Sequence, residues 1–205
     1  MNSVEIADIG LSFDLGLSLT EIGYFDLGLT DIKEPQQPGK RKRWGKLEAR
    51  CNLKETIGLY KRQELSFISF FKKSEDGLLL AEIKTETNVA LFAEKTCRVL
   101  RGLLKMDSTA GWCLLCPPKR RHKSKNFASM VCDKIAEDTG LMFYEDAITA
   151  KNRARVNPVF ERVVTIPEQN IICFDDILTT GSTLHAVRRL FPEKNMVFIV
   201  GINNN

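Results

Sequence analysis

Two adjacent carboxylates, Asp175-Asp176, are followed after two intervening residues by Thr179-Thr180-Gly181-Ser182-Thr183. Carboxylates accept hydrogen bonds from sugar hydroxyls, whereas side-chain hydroxyls and backbone N–H groups donate to phosphate oxygens. Side by side, the two chemistries suit a phosphorylated ribose. The elements that must hold them can be read on either side. Ile171-Ile172-Cys173-Phe174 is a continuous apolar run, as in a strand buried on both faces, and the pattern after Gly181 predicts a helix over 182–190. Ligands of open α/β sheets bind outside the carboxyl ends of the strands, and a helix N-terminus supplies N–H groups to an anion. An ordinary strand, turn and capped helix would use some of these residue types. It explains a cap, but not paired acids and a hydroxyl-rich loop together.

The segment Ile171–Thr183 resembles the phosphoribosyl pyrophosphate (PRPP) motif of type I phosphoribosyltransferases: four hydrophobic residues, two acids, two or three hydrophobic residues, then Thr-Thr-Gly-x-Thr. The resemblance implies that Asp175 and Asp176 hold the ribose hydroxyls as the catalytic acids. It also implies that Thr179, Thr180, Gly181, Ser182 and Thr183 wrap the 5′-phosphate.

Length and composition fit this picture without selecting it. The chain has 205 residues, enough for one domain with extensions, and 43% hydrophobic and 27% charged residues, as in a globular protein. No apolar run approaches a membrane span and no signal-peptide pattern opens the chain, so a cytoplasmic location is expected. The six scattered cysteines fit buried, reduced thiols better than a disulfide framework. The net charge of +4 hides a split: residues 1–38 carry seven acids and one base, which leaves about +10 for the rest. A basic body suits a polyphosphate or a nucleic acid.

Residues 1–46 read as an acidic tail and basic linker, and 47–205 as the folded domain. Phe13-Asp14-Leu15-Gly16-Leu17 recurs as Phe25-Asp26-Leu27-Gly28-Leu29. Two such short, glycine-broken copies enclose no core; they read either as a solvated tail or as a duplicated docking motif for a protein partner within residues 9–31. Residues 35–39 form a linker, and Lys40-Arg41-Lys42-Arg43-Trp44-Gly45-Lys46 is a basic run around an aromatic. That run either balances the tail or contacts nucleic acid.

Within the domain, helices are expected over 88–104, 127–136 and 182–190, and strands over 111–116, 141–144, 171–174 and 196–202; the apolar 65–71 stretch fits either type. Strands alternating with helices predict a mostly parallel sheet with helices on both faces. Two basic stretches would serve a pyrophosphate: 116–127, with Lys119, Arg120, Arg121 and His122, and 150–160, with Lys151, Arg153 and Arg155. Their order and spacing are similar to the competence-protein ComF-like branch of the family. There a basic loop and a Gly-Phe-Asn-like turn, roughly where Lys125-Asn126-Phe127 stands here, precede a basic hood, which 153–160 resembles in shortened form. The paired Cys-x-x-Cys zinc ribbon of that branch is missing. The one Cys-x-x-Cys, Cys113 to Cys116, lies in a predicted strand, where residues three apart face opposite ways, so no metal is expected there. His185 follows the phosphate loop and reads as a structural or exposed residue.

The resemblance implies an enzyme that displaces pyrophosphate from PRPP with a nitrogen nucleophile. Mg²⁺ would be held through PRPP near Asp175 and Asp176, with Lys119, Arg120, Lys151, Arg153 and Arg155 on the pyrophosphate. The other reading is a non-catalytic PRPP or nucleotide sensor acting in a DNA-handling assembly. A homodimer is compatible with either, and no membrane contact is expected.

Overall fold

A computed structural model describes residues 50–103, 109–118, 126–152 and 157–204. The acidic tail, the basic run and residues 119–125 and 153–156 of the two basic stretches, with Lys119, Arg120, Arg153 and Arg155, lie outside the described residues. In chain order the elements are β1 (Arg50–Cys51), β2 (Glu55–Arg62), β3 (Leu65–Lys72), β4 (Leu78–Leu79), α1 (Leu80–Ile83), α2 (Glu86–Leu103) and β5 (Trp112–Leu115). They continue with α3 (Phe127–Thr139), β6 (Met142–Tyr144), β7 (Ile148–Ala150), β8 (Phe160–Arg162), β9 (Asn170–Leu178), α4 (Ser182–Leu190) and β10 (Asn195–Asn203).

The fold is α/β. A six-stranded sheet has the order β2-β3-β10-β9-β5-β6; all neighbours pair parallel except β2, which is antiparallel to β3 at the edge. Helices cover both faces. Val131, Cys132 and Ile135 of α3 and Phe92, Cys97 and Leu100 of α2 join one core cluster; Leu184, Ala186 and Val187 of α4 join the other. Parallel central strands are buried on both sides. Accordingly Ile171 to Phe174 are fully buried, with Ile172 and Phe174 in the first cluster and Ile171 and Cys173 in the second.

Aromatic rings tie the first cluster together. Phe71, Phe92 and Phe127, from β3, α2 and α3, meet edge to face with centroids 5.3 and 5.2 Å apart. Helix α3 is bounded by local chemistry at both ends. The Asn126 side chain accepts from the Ser129 N–H at 2.7 Å, and Gly140 ends the helix in the left-handed region at φ 74°. The 65–71 stretch, ambiguous in sequence, is the strand β3.

Two small antiparallel pairs flank the sheet, β1 with β4 and β7 with β8. The β7–β8 pair packs through Ile148 and Phe160 into the cluster beneath α4. All six cysteines are buried thiols. Cys113 and Cys116 sit in opposite clusters, as the strand period requires.

Candidate functional site at the carboxyl edge of the sheet

The connections of the parallel strands step outward in opposite senses from one boundary in the sheet. From β5 the chain passes through α3 to β6, on one side; from β9 it passes through α4 to β10, on the other. The boundary between β5 and β9 is therefore the switch point at which open α/β sheets bind ligands. The loops leaving these neighbouring strands begin side by side. One is Cys116-Pro117-Pro118 leading into 119–125; the other is Thr179-Thr180-Gly181.

Strand β9 runs four residues further than the apolar pattern predicts, so Asp175 and Asp176 lie inside it rather than after it. The β5–β9 ladder stops at Leu115 opposite Cys173. Pro117 and Pro118 have no N–H to extend it. Past that point β9 is paired with β10 alone, through Asp175 opposite Val200 and Leu178 opposite Asn203. The two carboxylates are half-buried beside this unladdered edge.

Within a strand, adjacent side chains face opposite ways. Asp176 takes the face of the first cluster, where Lys84, the residue that ends α1, brings its Nζ to 2.6 Å from Oδ2. Lys84 is held there because Ile83 before it is buried in that cluster. Asp175 takes the other face, that of Cys173. Burial, followed by the nearby Asp175 carboxylate, holds the Cys173 thiol well above the usual range. The acids thus form a pair in sequence whose side chains flank the strand end from its two sides.

Residues 179–183 lead from β9 into α4, which begins at Ser182. Gly181 is the N-cap of α4 at φ 79°, a conformation that disfavours any side chain. Thr179 and Thr180 are exposed, and Ser182 and Thr183 half-buried. The Thr180 and Ser182 hydroxyls meet at 2.9 Å. Gly181 itself is buried, because the stem of Arg62 crosses it: a Cβ there would stand 3.4 Å from Arg62 Cδ and 3.9 Å from His185 Cδ2. Arg62 Nη1 donates to the Thr179 carbonyl at 2.6 Å.

Arg62 and Lys84 were not found by sequence reasoning. The sheet and α1 bring them to the motif from far along the chain, and neither lies in a basic run. Of the expected pyrophosphate ligands only Lys151 is described; its Nζ pairs with Glu161 across the β7–β8 hairpin at 2.9 Å. At the end of β10, the side-chain oxygen of the buried Asn203 has no hydrogen-bond partner. Pro118, Asp146, Ile148, Thr149 and Val163 line an open depression of about 380 Å³. Among the described residues no three His, Cys, Asp or Glu side chains converge as metal ligands, and no helix is long and apolar enough to cross a membrane.

No protein-family model matches the chain, and no curated protein sequence matches it. Solved structures similar to it include adenine phosphoribosyltransferases. That of Thermoanaerobacter pseudethanolicus is 13% identical with a TM-score of 0.40, over 64% of this chain and 88% of that one. That of Leishmania donovani is 11% identical with a TM-score of 0.41, over 76% of each chain. The Leishmania tarentolae enzyme is 12% identical with a TM-score of 0.36, over 77% of this chain and 84% of that one.

Proposed function

We propose that this chain binds PRPP at the carboxyl edge of β9 and transfers its phosphoribosyl group to a nitrogen nucleophile, as a phosphoribosyltransferase-like protein of the ComF-like branch. The observation that carries this reading is the position of the thirteen-residue motif. Its acids stand at the switch point, and its glycine caps a helix in the left-handed conformation. In the reaction the C1–N bond forms as the C1–oxygen bond to pyrophosphate breaks. Pyrophosphate leaves with the electron pair, and the nucleophile gives up a proton. Positioning and charge neutralisation would supply most of the acceleration.

Within this reading Asp175 and Asp176 orient the ribose, and residues 179–183 fix the 5′-phosphate. Lys151, Arg153 and Arg155, with Lys119 and Arg120, would approach the pyrophosphate. Two carboxylates are too few to hold Mg²⁺ alone, but hard oxygens beside a pyrophosphate suit it; Asp175 and Asp176 would hold it jointly with substrate oxygens and water. When bound, Mg²⁺ would neutralise charge on the leaving group. Residues 1–46 are proposed as an appendage to this domain that docks a protein through 9–31 and meets nucleic acid through 40–46.

Calorimetry with PRPP and Mg²⁺, followed by a screen for pyrophosphate release against nucleobases and ammonia, tests the reading. Saturable binding of PRPP that ribose 5-phosphate competes away is the expected result. Absence of binding overturns it; binding without release for any acceptor would leave a sensor in place of an enzyme.

A further inference from the structure

The β2–β3 hairpin brings a cation to the phosphate loop from a distant part of the chain. Its two strands are joined by the tight turn Gln63-Glu64, in which Gln63 adopts φ 55°. A side chain at positive φ in a two-residue hairpin turn is strained, since glycine or asparagine is favoured there. The turn makes Arg62 and Leu65 the last pair of the ladder. Tyr60 stacks on Phe67, with centroids 5.6 Å apart, and packs against the cluster beneath α4. Arg62, two residues on, faces the same way. The hairpin is therefore anchored so that Arg62 is presented to the start of α4.

Two further observations place the guanidinium there. It donates to the Thr179 carbonyl at 2.6 Å across 117 residues of sequence, and its stem covers Gly181. Arg189, Arg62 and Glu64 all act electrostatically on His185, one turn into α4, so the hairpin end lies over the helix start.

We propose that Arg62 is a positioning residue of the phosphate site: it ties the Thr179 carbonyl back, holding the loop with its N–H groups turned toward a phosphomonoester. The inference rests on the reading of residues 179–183 as the 5′-phosphate loop. A carbonyl and a phosphate repel each other, and a loop free to turn its carbonyl inward would lose affinity. The guanidinium fork suits the task better than an ammonium because its planar donors fix direction as well as charge.

The test uses the full chain and three variants. Arg62→Met keeps the stem over Gly181 and removes the donors, Arg62→Lys keeps the charge, and Arg62→Gln keeps donors without charge. Titrations with ribose 5-phosphate and with inorganic pyrophosphate are compared, alongside thermal midpoints and amide exchange across 179–185 in the ligand-free protein. Arg62→Met is expected to weaken ribose 5-phosphate about 10- to 150-fold, the range for losing a hydrogen bond to a charged group. Pyrophosphate binding should stay within about twofold, amide exchange in the loop should rise, and both Arg62→Lys and Arg62→Gln, which lack the fork and its reach, should recover only part of the affinity. Unchanged ribose 5-phosphate affinity in Arg62→Met, or equal losses for both ligands, overturns the proposal. If the unmodified chain binds no ribose 5-phosphate, the functional reading fails as well; unaltered loop exchange in Arg62→Met refutes the tie independently of any ligand.

Discussion

Asp176 has one partner in the fold and one proposed in the ligand, and mutation can separate them. It pairs with Lys84 at 2.6 Å, and it is assigned to a ribose hydroxyl. Replacing it by Asn keeps the shape and removes the charge. Lys84 is 37% exposed, so its ammonium can turn to water once the carboxylate is gone. The stability cost is therefore that of a partly screened pair, about 0.5–1 kcal/mol. A hydrogen bond from a hydroxyl to a charged acceptor contributes about 1.5–3 kcal/mol, so ribose 5-phosphate and PRPP should bind about 10- to 150-fold more weakly. Lys84→Met should cost similar stability. The double variant Asp176→Asn with Lys84→Met should fall short of the sum of the two stability losses, because the second change removes nothing that the first left intact. Its ligand affinity should remain as low as that of Asp176→Asn alone. Chemical denaturation and calorimetry on the four proteins complete the cycle. Recovery of affinity in the double variant would refute the argument, since the loss would then come from the stranded Lys84 and not from a missing ribose contact.

Three other outcomes follow from particular contacts. Gly181→Val should abolish ribose 5-phosphate binding in calorimetry, because φ 79° resists a β-branched residue. Gly201→Ala should destabilise by about 1–3 kcal/mol in denaturant, since the added Cβ would stand 2.7 Å from Phe92 Cδ1 and 2.8 Å from the Asp176 carbonyl oxygen. It should weaken ribose binding too, by moving the β9 end. Burial first, then Arg189, lowers the His185 pKa below its ordinary value of 6.5, with Arg62 adding to the effect and Glu64 opposing it. The folded state then binds the proton less readily than the unfolded chain, so this contribution is complete above pH 6.5 and is lost as pH falls through the lower folded value. His185→Gln should flatten the stability profile below that pH in thermal melts.

Most of the sheet and helix order was legible because its strands are continuous apolar runs and its helices carry caps, such as Asn126 and Gly140. The motif was legible because acids, hydroxyls and one glycine follow each other within thirteen residues. The extent of β9 was not. Asp disfavours strands, so the pattern stops at Phe174, yet pairing with β10 carries the strand through both acids to Leu178. The β2–β3 hairpin was missed because its turn, Gln63-Glu64, lacks the Asn-Gly or Gly-x signature that marks such turns. Arg62 could be anticipated only from its place two residues after Tyr60, once β2 is known to be a strand. Lys84 had no local signal, since a four-residue helix is too short to show a period.

The long separation between Arg62 and Thr179 also bears on the order of folding. The β9–α4–β10 segment is contiguous and can gather its contacts locally, whereas β3 reaches its parallel partner β10 only by closing a loop through most of the domain. Distant pairings carry the larger loop-closure entropy and slow folding most. The 179–183 loop would thus be built early and Arg62 docked late. A chain arrested before the hairpin docks would already contain the motif on a formed helix, but without the contact that restrains its carbonyl. Ribose 5-phosphate binding, followed in time during refolding, would then report the final closure of the sheet and not the formation of the motif.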